Sequence, residues 1–245
     1  MNGYFKITLQ GLVLFIFFNI ILTGCTQSSE AFLKKGREMM QAQKFSEALP
    51  YLNQAIEKDV ENSEAFNARA VTYFELKKYQ EALLDYEQAI RLNPESYKPY
   101  YNRAQVRLAL NDMSNALADS DKAITLQPDS SDLYTNRAFI YHKTGKIREA
   151  LADFDKAILL APSDANAYYN RGVFRFELQD LKGSITDFAK AAELDRKMAK
   201  AYYSLGLAHL SAQNKEQGCI SLKQANRLGH QAAKQAVTQY CGETQ

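Results

Sequence analysis

The sequence predicts an all-α solenoid of about six helical hairpins, and three observations carry that prediction. Arg69, Arg103, Arg137 and Arg171 fall at a fixed interval of 34 residues. The same interval runs through Ala55, Ala89, Ala123, Ala157, Ala191 and Ala225. A third ladder of small residues (Gly36, Ala70, Ala104, Ala138, Gly172, Gly206) follows by four residues a ladder of aromatics: Phe32, Phe66, Tyr100, Tyr134, Tyr168 and Tyr202. A strict period of this length marks stacked helix pairs, each burying its apolar face against its neighbours. The small residues let helices approach closely, and the aromatics one turn earlier fill the space beside them.

The repeats run at 29–62, 63–96, 97–130, 131–164, 165–198 and 199–232, each expected to form two antiparallel helices. Pro94, Pro128 and Pro162 close three of them, where a missing amide hydrogen costs little and the preceding helix must stop. Val60 and Arg196 take that place in repeats one and five. Gly145 marks one turn inside a hairpin, and Gln43, Lys77, Asn111, Gln179 and Gln213 occupy the same position elsewhere. The stretch from Gln231 to Tyr240 has apolar residues at Ala232, Ala236, Val237 and Tyr240 and reads as a capping helix, so 233–245 is assigned to cap and tail.

An aromatic at position 4, a small residue at 8, Ala at 20 and 27 and Pro at 32 of a 34-residue unit resemble the tetratricopeptide repeat, over nearly everything after residue 28. In that family the first helices line a concave groove through positions 2, 5, 6, 9, 12 and 13. Carried onto this chain, the resemblance implies a groove with Tyr101, Tyr169 and Tyr203, with Asn102, Asn136 and Asn170, and with Phe74, His142 and Phe176. Aromatic faces beside amide donors suit an extended peptide whose backbone the amides bind. The plainer reading is that the rings simply pack between repeats. The Lys and Asn set with which one branch of the family clamps acidic chaperone tails is missing: Leu33, Asn67, Tyr101, Thr135, Tyr169 and Tyr203 stand at position 5.

The four repeats with Arg at position 7 also carry Asp at position 23: Asp85, Asp119, Asp153 and Asp187. Repeats one and six lack both, having Lys35 with Tyr51 and Leu205 with Ser221. That co-occurrence points to ion pairs inside each repeat, Arg69 with Asp85, Arg103 with Asp119, Arg137 with Asp153 and Arg171 with Asp187. An anion-binding arginine ladder is the alternative.

The first two dozen residues are of another kind. Lys6 precedes a largely apolar run from Ile7 to Leu22 that ends in Leu22-Thr23-Gly24-Cys25. This resembles a bacterial lipobox, which implies a signal peptide at 1–24, lipid on Cys25, a short tether at 25–28 and a folded part outside the cytoplasm. The run is short for a membrane span, the competing reading. Thr26 stands where an Asp resembles an inner-membrane retention signal, which favours the outer membrane in an organism that has one. Several acyl chains hold a protein on a bilayer stably.

Cys219 and Cys241 then remain, and in an exported domain two cysteines either bridge or stay as buried thiols. With the turn at Leu228-Gly229 they lie at similar heights on antiparallel helices. Lys and Arg exceed Asp and Glu by only two, without a basic block, which argues against nucleic acid. His142, His209 and His230 lack metal-ligand spacing and no catalytic motif is present, so neither enzyme, metal nor cofactor is expected. The expected function is that of a membrane-anchored scaffold binding a protein or extended peptide at the bacterial envelope. The alternative is a non-catalytic binder of glycan or peptidoglycan fragments. The sequence leaves the oligomeric state open.

Overall fold

Alternating turns of two kinds set the architecture. A computed structural model describes residues 27–242 and contains thirteen helices among them, with no strand. They are α1 (Ser29–Gln41), α2 (Phe45–Lys58), α3 (Ser63–Glu75), α4 (Tyr79–Leu92), α5 (Tyr97–Ala109), α6 (Met113–Leu126), α7 (Ser131–Lys143), α8 (Ile147–Leu160), α9 (Ala165–Glu177), α10 (Leu181–Leu194), α11 (Ala199–Ser211), α12 (Lys215–Arg227) and α13 (Gln231–Cys241). Odd-numbered helices through α11 open the six hairpins; α13 packs on α12 as a cap.

Within each hairpin the first helix ends in a residue with positive φ. Gln43, Lys77, Asn111, Gln179 and Gln213 adopt φ of 59° to 62°, and Gly145 adopts 73°. Paired backbone bonds hold this conformation, as in Lys77 N–H to Phe74 C=O and Lys78 N–H to Tyr73 C=O, both 2.8 Å. These are the two bonds of a Schellman ending, which satisfies the last carbonyls of the helix. The left-handed conformation costs a side chain roughly 1–2 kcal/mol, and five of the six hairpins bear it without glycine. The same turn recurs at Gly229 before α13, with φ of 84°.

Between hairpins the chain runs extended for one residue. Asn93, before Pro94, has φ −142° and ψ 85°, as a residue preceding proline should. Asp59 and Asp195, followed by Val60 and Arg196, are extended too, at −151°, 99° and −126°, 95°. The turn therefore does not depend on proline. Side chains of Ser28, Asn62, Asp112, Asp164, Asp180 and Asn214 cap the following helices by accepting backbone N–H bonds. Pro99 sits third in α5, where the amide would be unpaired anyway; Pro50, sixth in α2, removes an interior bond.

The core is a column that the periodic reading overlooked. Leu52, Tyr86, Ser120, Phe154, Phe188 and Leu222, at position 24, are all buried. Where position 8 is glycine it faces this column in its own repeat: a Cβ on Gly172 would lie 2.9 Å from the Phe188 ring, one on Gly36 2.6 Å from Leu52 and one on Gly206 2.7 Å from Leu222. At these three positions a Cβ would force the facing side chain to shift, whereas Ala70 and Ala138 already carry one in the clusters that hold Tyr86 and Phe154.

Candidate partner-binding groove

The first helices of successive hairpins lie side by side, so their equivalent positions form columns. Tyr101, Tyr169, Tyr203, Asn102, Asn136 and Asn170 are all half-buried. Neighbouring residues thus cover part of these amides while leaving part open. Asn102 donates to Asn67 Oδ1 at 3.3 Å, and Asn136 Oδ1 accepts from Ser120 Oγ at 3.2 Å. That second bond exists because Ser120 is the small member of the position-24 column and leaves a hydroxyl within reach. Asn170 is half-buried without a hydrogen-bond partner among the described residues.

The rings divide in the same way. Burial, with Asp132 adding its charge, pushes the Tyr101 phenol above its ordinary pKa. Tyr169 packs on Phe188 with centroids 5.8 Å apart, and the Lys200 ammonium sits 4.4 Å above its ring. Tyr203 stacks on His230 at 4.2 Å, so the cap covers it. Phe74 tilts against Tyr79 at 5.9 Å. His142 meets the edge of Phe174 at 4.7 Å, and its Nε2 lies 3.0 Å from Glu177 of the next repeat. Phe139, at position 9, keeps 40% of its surface exposed; the sequence reading left it out, although its column belongs to the same face.

Two recesses open along this face. One, ≈ 290 Å³, lies between α5 and α7 against Tyr97, Lys98, Tyr101, Asn102, Asp132 and Leu133. The other, ≈ 250 Å³, lies between α9 and α11 against Tyr169, Val173, Phe176, Glu177, Ser204 and Leu207, with Phe188 behind them. At the opposite end, α1 offers a depression between Glu30, Lys34, Arg37 and Glu38, and Arg37 pairs with Glu64.

The arginines lie away from these recesses, bound inside the protein. Each binds its own repeat's aspartate through Nε and Nη2, at 2.7 and 2.8 Å for Arg69 with Asp85, 2.8 and 2.7 Å for Arg103 with Asp119, 2.8 and 2.8 Å for Arg137 with Asp153, and 2.9 and 2.6 Å for Arg171 with Asp187. Bidentate geometry of this kind is the strong form of the interaction. Three of them use Nη1 to reach the preceding repeat: Arg69 to Asn53 at 2.8 Å, Arg137 to Asp121 at 2.8 Å and Arg171 to Asp155 at 2.6 Å. Arg107 and Arg175 add a second cation to Asp119 and Asp187, at 2.7 and 2.9 Å. Arg137 is raised above the ordinary arginine pKa, first by its bond to Asp153; Arg171 is raised too, because Asp187 and Asp155 outweigh its burial. The described partners leave these guanidiniums little capacity for a free anion.

Cys219 and Cys241 form a disulfide between α12 and α13. Cys25 and the apolar leader lie outside the described residues, among which no helix is long and apolar enough to cross a membrane. No group of His, Cys, Asp and Glu among the described residues is arranged to hold a metal ion.

Models of the Tetratricopeptide repeat family match residues 63–96, 108–167 and 140–198, together a little over half of the chain. No curated protein sequence matches it. Among solved structures it resembles PilW, described as a widely conserved type IV pilus biogenesis factor, with TM-score 0.76 and 19% identity over 85% of this chain and 98% of that one. It also resembles YrrB, described as having an unusual peptide-binding site, with TM-score 0.57 and 22% identity over 76% and 97%. The Cut9–Hcn1 assembly of the APC/C gives TM-score 0.73 and 16% identity, covering 94% of this chain but only 46% of that one. At these identities the likeness is one of fold.

Proposed function

The chain belongs to the tetratricopeptide-repeat family, and on that premise we propose that it is a non-catalytic scaffold binding a protein or extended peptide along its concave face, tethered to the bacterial envelope by lipid on Cys25. One observation carries the binding half: a single face holds an amide without a hydrogen-bond partner among the described residues (Asn170), an exposed ring (Phe139) and two recesses between successive first helices. Rigid helices present these groups in advance, which lowers the ordering cost of binding. Both recesses lie at the small end of the about 300–1,000 Å³ range of small-ligand pockets, a size that suits single side chains of a longer chain.

The tether half rests on Leu22-Thr23-Gly24-Cys25, and the Cys219–Cys241 bond supports an oxidising compartment. Similar structures include a pilus biogenesis factor and a peptide-binding protein, which fits a role in envelope assembly. A lipid anchor then concentrates the groove near partners in the same membrane.

The binding test is a photo-crosslinking residue at Phe139 in living cells, followed by solubilisation of the envelope. A discrete crosslinked protein that is lost with Asn170→Ala and Tyr101→Ala supports the reading, and an unchanged adduct moves recognition off this face. For the anchor, radiolabelled palmitate is expected in the wild type and not in Cys25→Ser; an unlabelled wild type removes the lipid.

A further inference from the structure

The two ends of the concave face differ in chemistry. The depression on α1 is lined by Glu30, Lys34, Arg37 and Glu38, and the α5–α7 recess carries Lys98 and Asp132. In the α9–α11 recess Val173, Phe176 and Leu207 stand over the Phe188 ring, which is 1% exposed, and Glu177 is the single charged residue lining it. Lys200, whose ammonium sits over Tyr169 of the same lining, donates to Asn166 at 3.1 Å. Glu177 is 52% exposed and gives one oxygen to His142, with the other uncommitted among the described residues.

We propose that this recess is the anchor subsite of the groove, taking one large apolar side chain, leucine or phenylalanine, from a peptide in which an adjacent Lys or Arg meets Glu177; this rests on the peptide-binding reading above. Three features select that occupant. The ≈ 250 Å³ volume accommodates a side chain rather than a whole small ligand. Its walls reject charge, since an unpaired ion there loses water without recompense. The carboxylate at its rim supplies the complementary sign that fixes direction and register. The Ser204 hydroxyl stands beside the recess, placed for the backbone of the bound segment. The peptide accordingly lies with its apolar anchor toward the cap and its polar portion toward α1.

The test is to pan a random dodecapeptide phage library on the full-length protein in detergent. The wild type should enrich a leucine or phenylalanine next to Lys or Arg. Leu207→Asp should cut recovery of those clones by at least about tenfold, the scale of losing one well-packed anchor. Glu177→Lys, an exposed change that leaves the helix intact, should keep the apolar anchor and exchange its neighbour for Asp or Glu. Clones without an apolar residue, lost on Asn170→Ala but not on Leu207→Asp, would sink the anchor while leaving the groove standing. Identical motifs with wild type and Glu177→Lys overturn the charge assignment, and no enrichment from any form overturns groove and anchor together.

Discussion

Repeats two to five and the two end repeats are held by different chemistry. In the middle repeats an arginine ties both helices of its own hairpin, and in three of the four it also ties the hairpin before. Repeat one has no preceding hairpin among the described residues and instead places Lys35 5.0 Å from the Tyr51 ring. Repeat six has a predecessor, but Ala189 stands where Asn53, Asp121 and Asp155 accept, and Leu205 and Ser221 replace the ion pair. Its cap is fastened by a disulfide. Buried arginine thus sits where its own repeat supplies an aspartate 16 residues on; where it does not, a cation near a ring, apolar contact or a covalent bond takes over.

The sharpest way to break this contrast is to remove a shared carboxylate. Asp187→Ala takes from Arg171 and Arg175 their shared acceptor, which is 1% exposed, and a loss of about 3–5 kcal/mol in urea unfolding is expected. The double change Arg171→Leu/Asp187→Leu should recover much of it, and no recovery would mean the charge itself is required. At the other end, reduction of Cys219–Cys241 should cost about 3 kcal/mol in the chain-entropy view. Hydrogen exchange should locate that loss in α13, with the middle repeats unmoved; loss spread over the whole chain would erase the distinction between the regions.

Smaller effects test the turns, which both regions share. Lys77→Gly and Gln213→Gly should each stabilise by about 1 kcal/mol by relieving the left-handed side chain, equally in a middle repeat and an end repeat. A gain in only one would show that the arginine–aspartate bonds of the middle repeats strain the backbone. The smallest effect is one of pH. Burial lowers the pKa of His209 below its ordinary 6.5, and position 11 holds Tyr or Arg in the middle repeats. The unfolded chain therefore takes the proton first, so stability is full above pH 6.5 and declines as pH falls through the lowered folded value. His209→Phe should flatten that decline, as read from thermal unfolding across pH 5 to 7.5.

The fold was legible because a solenoid writes its geometry as a period, and the 34-residue ladders carry helix, turn and stacking together. Local exposure was less so. Asn102 and Asn136 stand in a column that is open in a single repeat and covered once the adjacent hairpin is added, and Tyr203 is covered only because a cap follows. Asn53, Asp121 and Asp155 were visible as residues, but their role appears only when an arginine is measured backward by the same 16 residues that separate it from its own aspartate. Phe188 and its column escaped notice because position 24 varies in size while position 8 does not.

The arginine bonds also have an elastic consequence. Inside a hairpin they end on carboxylates such as Asp153 that are almost fully buried, whereas between hairpins they end on Asp121 and Asp155, which are 51% and 58% exposed. Salt screens the second set far more than the first. The two joints made by Asp121 and Asp155 are therefore expected to loosen as ionic strength rises while the bonds inside each hairpin persist.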